Sequence, residues 1–180
     1  MKALEVPCRD VPVDGWLDAL TAARDEGFSF FDWLTAVDQT DAADSGGTPG
    51  FDVVAHLLDP ASRGDLQRVL LRTRVPVGGS VASATGLWRG AAWHERETHE
   101  MFGVAFDGFD DGTGQGLRPL LLPDGFEGTP LRKSFVLAAR ASKPWPGAKE
   151  PGESGHDLPE RGGRRRMTPP GVPDPDWGPR

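Results

Sequence analysis

Hydrophobic and polar positions recur along this chain with two different periods, and the changes of period predict the elements. From Gly15 to Glu26, Trp16, Leu17, Leu20 and Ala23 fall at helical spacing, with Asp14 placed to cap the helix and Gly27 to close it. Phe28 to Val37 is aromatic and partly β-branched, which predicts a strand. A polar loop runs on to Gly50, and Phe51 to Leu58 predicts a second strand stopped by Asp59-Pro60. Two such runs joined by a loop suggest an antiparallel pair. In Arg68 to Val75 the positions Val69, Leu71, Thr73 and Val75 alternate with Arg68, Leu70, Arg72 and Arg74. A helix is the alternative there, but the alternation favours a half-buried strand with a basic outer face, ended by Pro76.

The period returns to helical between Trp88 and Phe102, a stretch free of Pro and containing one Gly. Trp88, Ala91, Ala92 and Glu95, then Thr98, His99 and Phe102, lie along one face. Glu95-Arg96-Glu97 projects charge around the rod, and Arg96 and Glu100 stand at i,i+4, where they can pair. Gly103 stops the helix, because Gly accepts the left-handed conformation without a Cβ penalty. Asp107 to Gly116 is rich in Asp and Gly and reads as loop. Leu117 to Leu122 is a short apolar run with the look of a strand.

Beyond Arg140 the pattern disappears. Pro and Gly dominate and large aliphatics are scarce, so this segment cannot offset its ordering entropy by itself. The expected division is an α+β domain over residues 1–139 and a Pro/Gly-rich extended or disordered tail over 140–180. Trp145 and Trp177 would be its anchors if it orders along a partner, with a basic cluster at Arg164 to Arg166. The fold class is α+β: an N-terminal helix, a mostly antiparallel sheet of roughly three to five strands, a central helix and a long irregular C-terminal arm.

Bulk properties narrow the function. The 180 residues allow one domain with a real core, and the formal net charge of −7 argues against general nucleic-acid binding. No run approaches the length of apolar sequence needed to span a bilayer, and the first residues lack the apolar core of a secretory signal. A cytoplasmic, soluble chain is expected, with membrane association only through partners. Cys8 is the single cysteine, which rules out an intramolecular disulfide and a cysteine-ligated iron–sulfur cluster.

Candidate chemistry is sparse. His94-Glu95 followed by His99 superficially suggests a zinc helix, but i,i+5 spacing swings the two imidazoles roughly 140° apart. His56 and His156 sit in unrelated contexts. The Asp/Gly loop departs from the EF-hand order. No nucleophile elbow, phosphate-cradling loop or dinucleotide fingerprint is present. Glu95, Glu97 and Glu100 could in principle do acid–base work, with ion pairing or interface contacts as the default. Leu131-Arg132-Lys133 after Pro130 is by default a solvated loop end; the alternative is that Arg132 reaches a carboxylate in a bidentate pair, either Glu95 or Glu97 or an acid on a neighbour.

Three motifs in order carry a family resemblance: Glu95-Arg96-Glu97-x-x-Glu100-Met101-Phe102-Gly103, then Leu117-Arg118, then Gly128-x-Pro130-Leu131-Arg132-Lys133-x-Phe135. Together they resemble the C subunit of respiratory complex I, the proton-translocating NADH:quinone oxidoreductase. The chain departs from the family pattern at Glu100, Pro119 and Ser134, and at Gly114-Gln115-Gly116. The resemblance implies a non-catalytic scaffold protein of the peripheral arm, beside the large D subunit that carries the quinone site. Flavin, iron–sulfur clusters and quinone would all reside in partner subunits. It also implies peripheral attachment on the cytoplasmic side of the cell membrane, with the motif residues serving structure and assembly. Two rivals stay open: the equivalent subunit of a membrane-bound hydrogenase or another complex I-like oxidoreductase, and a free-standing interaction module.

Overall fold

The computed structural model describes residues 6–62, 64 and 66–135. The expected tail over 140–180, with Trp145, Trp177, His156 and the Arg164 to Arg166 cluster, lies outside the described residues.

The chain order is β1 (Cys8–Asp10), α1 (Trp16–Asp25), β2 (Phe30–Gln39), β3 (Gly50–Asp59), β4 (Gln67–Val75), β5 (Ser80–Ala82), α2 (Ala91–Phe102) and β6 (Ala105–Asp107). Four strands form one sheet in the order β1-β4-β3-β2, with β2, β3 and β4 antiparallel and β1 parallel to β4. β5 and β6 make a separate parallel pair. The fold is α+β, as the pattern of periods predicts.

The alternation in β4 does what the sequence expects: Val69, Leu71, Thr73 and Val75 are buried. Opposite them in β3 stand Leu57, Ala55, Val53 and Phe51, so one face of the sheet is continuous core. Strand β2 reaches the same face by a register shift between Phe31 and Trp33. Asp32 is the extra residue of this bulge. Its insertion lets Phe31 and Leu34, three apart, oppose Leu57 and Ala55 on the inner side. Trp16, Leu20 and Ala23 of α1 and Ala91 and Phe102 of α2 complete the core.

Several local expectations are corrected. Asp14 does not cap α1: it sits in a short 3-10 turn, Val13–Gly15, and Gly15 precedes the helix without a side-chain cap. Leu17 is 37% exposed rather than part of the buried stripe. Helix α2 starts at Ala91, three residues later than its periodicity suggests. Trp88 belongs instead to a turn, where its Nε1 donates to the Ser29 carbonyl at 2.9 Å and its ring packs on Phe31. Leu117 to Leu122 is irregular and forms no strand.

Candidate functional site

Helix α2 is the hub to which the rest of the C-terminal described chain is tied. Its inward side carries Glu95, fully buried, where the sequence suggested a charge on the surface of the rod. The periodicity places Glu95 in line with Ala91, Thr98 and Phe102, and the structure buries all four. The carboxylate accepts a hydrogen bond from the Ser83 hydroxyl and one from the Ala84 amide, each at 2.6 Å. Ser83 and Thr85 share a further hydroxyl contact at 2.7 Å. Burial raises the carboxyl to about 7, and the two hydrogen bonds only partly offset that rise. The Glu95 side chain has no solvent exposure.

The next side of the helix holds an irregular segment. Arg96 donates through Nη2 to the Pro119 carbonyl at 2.6 Å and through Nε to the Arg118 carbonyl at 3.2 Å. Glu100 takes three backbone amides: Leu120 and Leu122 donate to Oε1 at 3.0 Å, and Leu121 to Oε2 at 2.8 Å. Burial alone would raise the Glu100 carboxyl. The three amides and the Arg96 charge outweigh it, and the group is held below its ordinary value. The expected pairing of Arg96 and Glu100 therefore takes a different form, in which both side chains clamp the same backbone. Arg118 continues the scaffold by ion-pairing with Asp111, whose carboxyl is lowered by the Thr113 hydroxyl and by Arg118.

The end of α2 holds the third motif. Gly103 is left-handed at φ 73°, as its place after the helix predicts. The Met101 carbonyl accepts the Leu131 amide at 3.1 Å, and the Phe102 carbonyl accepts Arg132 Nε at 2.6 Å. Arg132 thus reaches neither Glu95 nor Glu97. Its guanidinium lies over the Phe51 ring, 4.9 Å from the centroid. A Cβ on Gly103 would collide with it. Lys133 fastens the same turn to the end of β2: its amide donates to Asp38 at 2.7 Å, and its Nζ pairs with Asp41 at 2.6 Å. Pro130 and Leu131 form the turn between these anchors.

The histidines are separated as the spacing predicts. His94 stacks edge-on against Phe31 and Trp93, while His99 Nδ1 contacts the Val104 carbonyl at 2.8 Å. An open groove of about 260 Å³ runs beside the end of α2, walled by Glu100, Leu117, Pro119, Phe126 and Thr129. The Glu100 carboxylate in its wall is already engaged with the backbone. Sequence reasoning missed Ser83 and Asp38, the partners of Glu95 and of the Lys133 amide, and Thr85, which contacts Ser83. No local signal marks them, since Ser83 and Asp38 stand 12 and 95 residues from the groups they meet.

The family model for the respiratory-chain NADH dehydrogenase 30 Kd subunit matches residues 9–141. The chain is 40% identical over 115 residues to the NADH-quinone oxidoreductase C 2 subunit of Rhizobium etli (strain CIAT 652), covering 63% of this chain and 57% of that protein. It is 41% identical over 113 residues to the NADH-quinone oxidoreductase C subunit of Roseiflexus sp. (strain RS-1), covering 62% and 58%. The chain thus spans a little over half the length of these relatives. Among solved structures it resembles the trypsin-resistant fragment (1–134) of Nqo5, with a TM-score of 0.51 and 26% identity over 58% of this chain and 80% of that one. It shares its fold with a chain of an archaeal membrane-bound sulfane sulfur reductase, at a TM-score of 0.58, 24% identity and 76% coverage of each. With the second and third motifs tied by hydrogen bonds to the helix that carries the first, and the match extending through them, the chain belongs to the family of the respiratory-chain NADH dehydrogenase 30 Kd subunit.

Proposed function

We propose that this chain is a non-catalytic scaffold subunit of the peripheral arm of an NADH:quinone oxidoreductase, packed beside the large D subunit that carries the quinone site. In this reading the assembly passes electrons from NADH to quinone and couples this to proton translocation, while this chain maintains the arm's geometry. Flavin, iron–sulfur clusters and quinone belong to its neighbours. The arm sits on the cytoplasmic side of the membrane, with this chain attached only through other subunits.

The observation that carries the reading is where the motif side chains direct their hydrogen bonds. Arg96, Glu100 and Arg132 all bind backbone of this same chain, and Glu95 is sealed in the core. Residues so engaged shape a surface; they are not placed to meet a reacting atom. The single cysteine is consistent with clusters being held elsewhere, since each needs several thiolates.

Arg132→Ala tests the reading. The substitution removes a hydrogen bond to Phe102 and a cation–π contact with Phe51, together worth about 1–3 kcal/mol. The yield of assembled peripheral arm on a native gel should fall. NADH:quinone turnover per assembled complex should stay nearly unchanged. Normal assembly with collapsed turnover would give the residue a part in electron or proton transfer and end the scaffold reading.

A further inference from the structure

We propose that the outward side of α2 is a docking surface for a partner subunit, which brings an arginine or lysine to Glu97 inside an apolar rim. This rests on the reading of the chain as a subunit and adds where the neighbour is held and by what chemistry.

Glu97 is half-buried, yet among the described residues it has no hydrogen-bonding or ion-pairing partner. Every other charged residue of the helix motif is engaged: Glu95 with Ser83 and Ala84, Arg96 with two carbonyls, and Glu100 with three amides. Helical spacing puts Trp93 one turn before Glu97, and Glu100 and Met101 one turn after it, roughly 5–6 Å away between Cβ atoms. Leu121 is held next to this turn by its amide bond to the Glu100 carboxylate, and Leu131 is tied to the end of the helix by its amide bond to the Met101 carbonyl. Trp93, Leu121 and Leu131 are 47%, 52% and 56% exposed. Glu97 is therefore a carboxylate unpaired among the described residues, one helical turn from the exposed Trp93 and from Glu100 and Met101, the residues to which the exposed Leu121 and Leu131 are tied. The segment presenting Leu121 is clamped by Arg96 and Glu100, so the rim stands on a fixed support.

The chemistry of the occupant follows. Covering this rim removes water from Glu97, and a desolvated carboxylate without a counter-charge is strongly unfavourable. A wholly apolar surface does not fit, and a phosphate-bearing surface is repelled. A second copy of this chain is disfavoured as well, because a two-fold contact would set Glu97 against Glu97. A protein surface with apolar side chains around one central cation satisfies both parts. That arrangement matches the usual anatomy of a tight interface, with a paired charge shielded by surrounding contacts.

The experiment mixes the full-length chain with the remaining subunits, purified from cells of its own host that lack it, and measures incorporation by titration. Glu97→Arg and Trp93→Ala should each weaken incorporation about tenfold or more, the usual effect of losing a central contact. Val77→Ser, at a similarly exposed residue on the turn between β4 and β5, should leave it unchanged. Glu97→Gln should flatten the salt dependence of binding. Thermal melts close to the wild type would confirm that the variants fold, as expected for Glu97, unpartnered among the described residues, and for Trp93, which is 47% exposed and meets His94 edge-on. Wild-type-like incorporation of both Glu97→Arg and Trp93→Ala would overturn the docking surface and leave the scaffold reading intact. Failure of the wild-type chain to join the remaining subunits would overturn both.

Discussion

At the residue scale, Glu95 shows how far periodicity and chemistry can disagree. Spacing puts it on the face with Ala91, Thr98 and Phe102, and burial confirms that face. Its charged chemistry argued for the surface, and lost. What reconciles them is the strand-to-helix turn, where Ser83 and Ala84 supply two donors to the carboxylate. The pH dependence follows from burial. An unfolded chain releases this proton near 4.5, whereas the folded one retains it to about 7. Below 4.5 both states are protonated and the group's contribution is fully present. As pH rises through 7 the unfolded state has already ionised, and the contribution is lost, amounting to about 3 kcal/mol. Urea unfolding at several pH values should therefore show Glu95→Gln gaining on the wild type between about pH 5 and pH 8; a pH-independent gap would mean that the carboxyl is ionised in the fold. Gly103 is a second decisive residue. Gly103→Ala must place a Cβ at positive φ and push aside the Arg132 guanidinium, and should cost about 1–3 kcal/mol in the same assay.

At the element scale, the segment from Leu117 to Leu122 has no ladder or helix to satisfy its amides, and Glu100 serves in their place. Glu100→Gln leaves one carbonyl oxygen where two carboxylate oxygens stood. Hydrogen exchange at Leu120, Leu121 and Leu122 should quicken in that variant, with exchange in the core of β3 little changed. Because the Glu100 carboxyl is held below its ordinary 4.5, the clamp should survive at mildly acid pH and loosen as pH falls through its lowered value. Proteolytic nicking of the segment across that range would register the release. The same segment marks the limit of what the chain's pattern discloses. Strands β2, β3 and β4 were legible because each runs nine or ten residues, β2 and β3 through their apolar, aromatic and β-branched content and β4 through its alternation. β1, β5 and β6 have three residues each, too few for a period, and two of their pairings are parallel and distant in sequence. Leu117 to Leu122 resembled a strand because apolar residues follow one another, but its hydrogen bonds go to a side chain, which no period encodes. The helix-to-loop links of Arg96, Glu100 and Arg132 were invisible for the same reason. The motif residues were recognised, and their partners were not.

At the scale of the whole molecule, the sheet buries one face beneath two helices, and its first strand comes from the far end of the chain. Among the described residues β1 pairs with β4 alone, and the bidentate Arg72–Asp10 bridge that accompanies the pairing spans 62 residues. During synthesis the first strand therefore emerges long before its only partner exists. At roughly 5–20 residues per second, the ribosome needs several seconds to close that gap. Through that interval the strand's backbone is an unclaimed template, short and bearing the charges of Arg9 and Asp10 that blunt edge pairing. Nascent chains arrested before β4 has left the exit tunnel should leave Cys8, which stays exposed in the fold, and its neighbours open to protease, and chains arrested after it should not. The order of events on the ribosome is thereby set by one parallel pairing: the earliest made of the described strands cannot find its place until the last strand of its sheet has emerged.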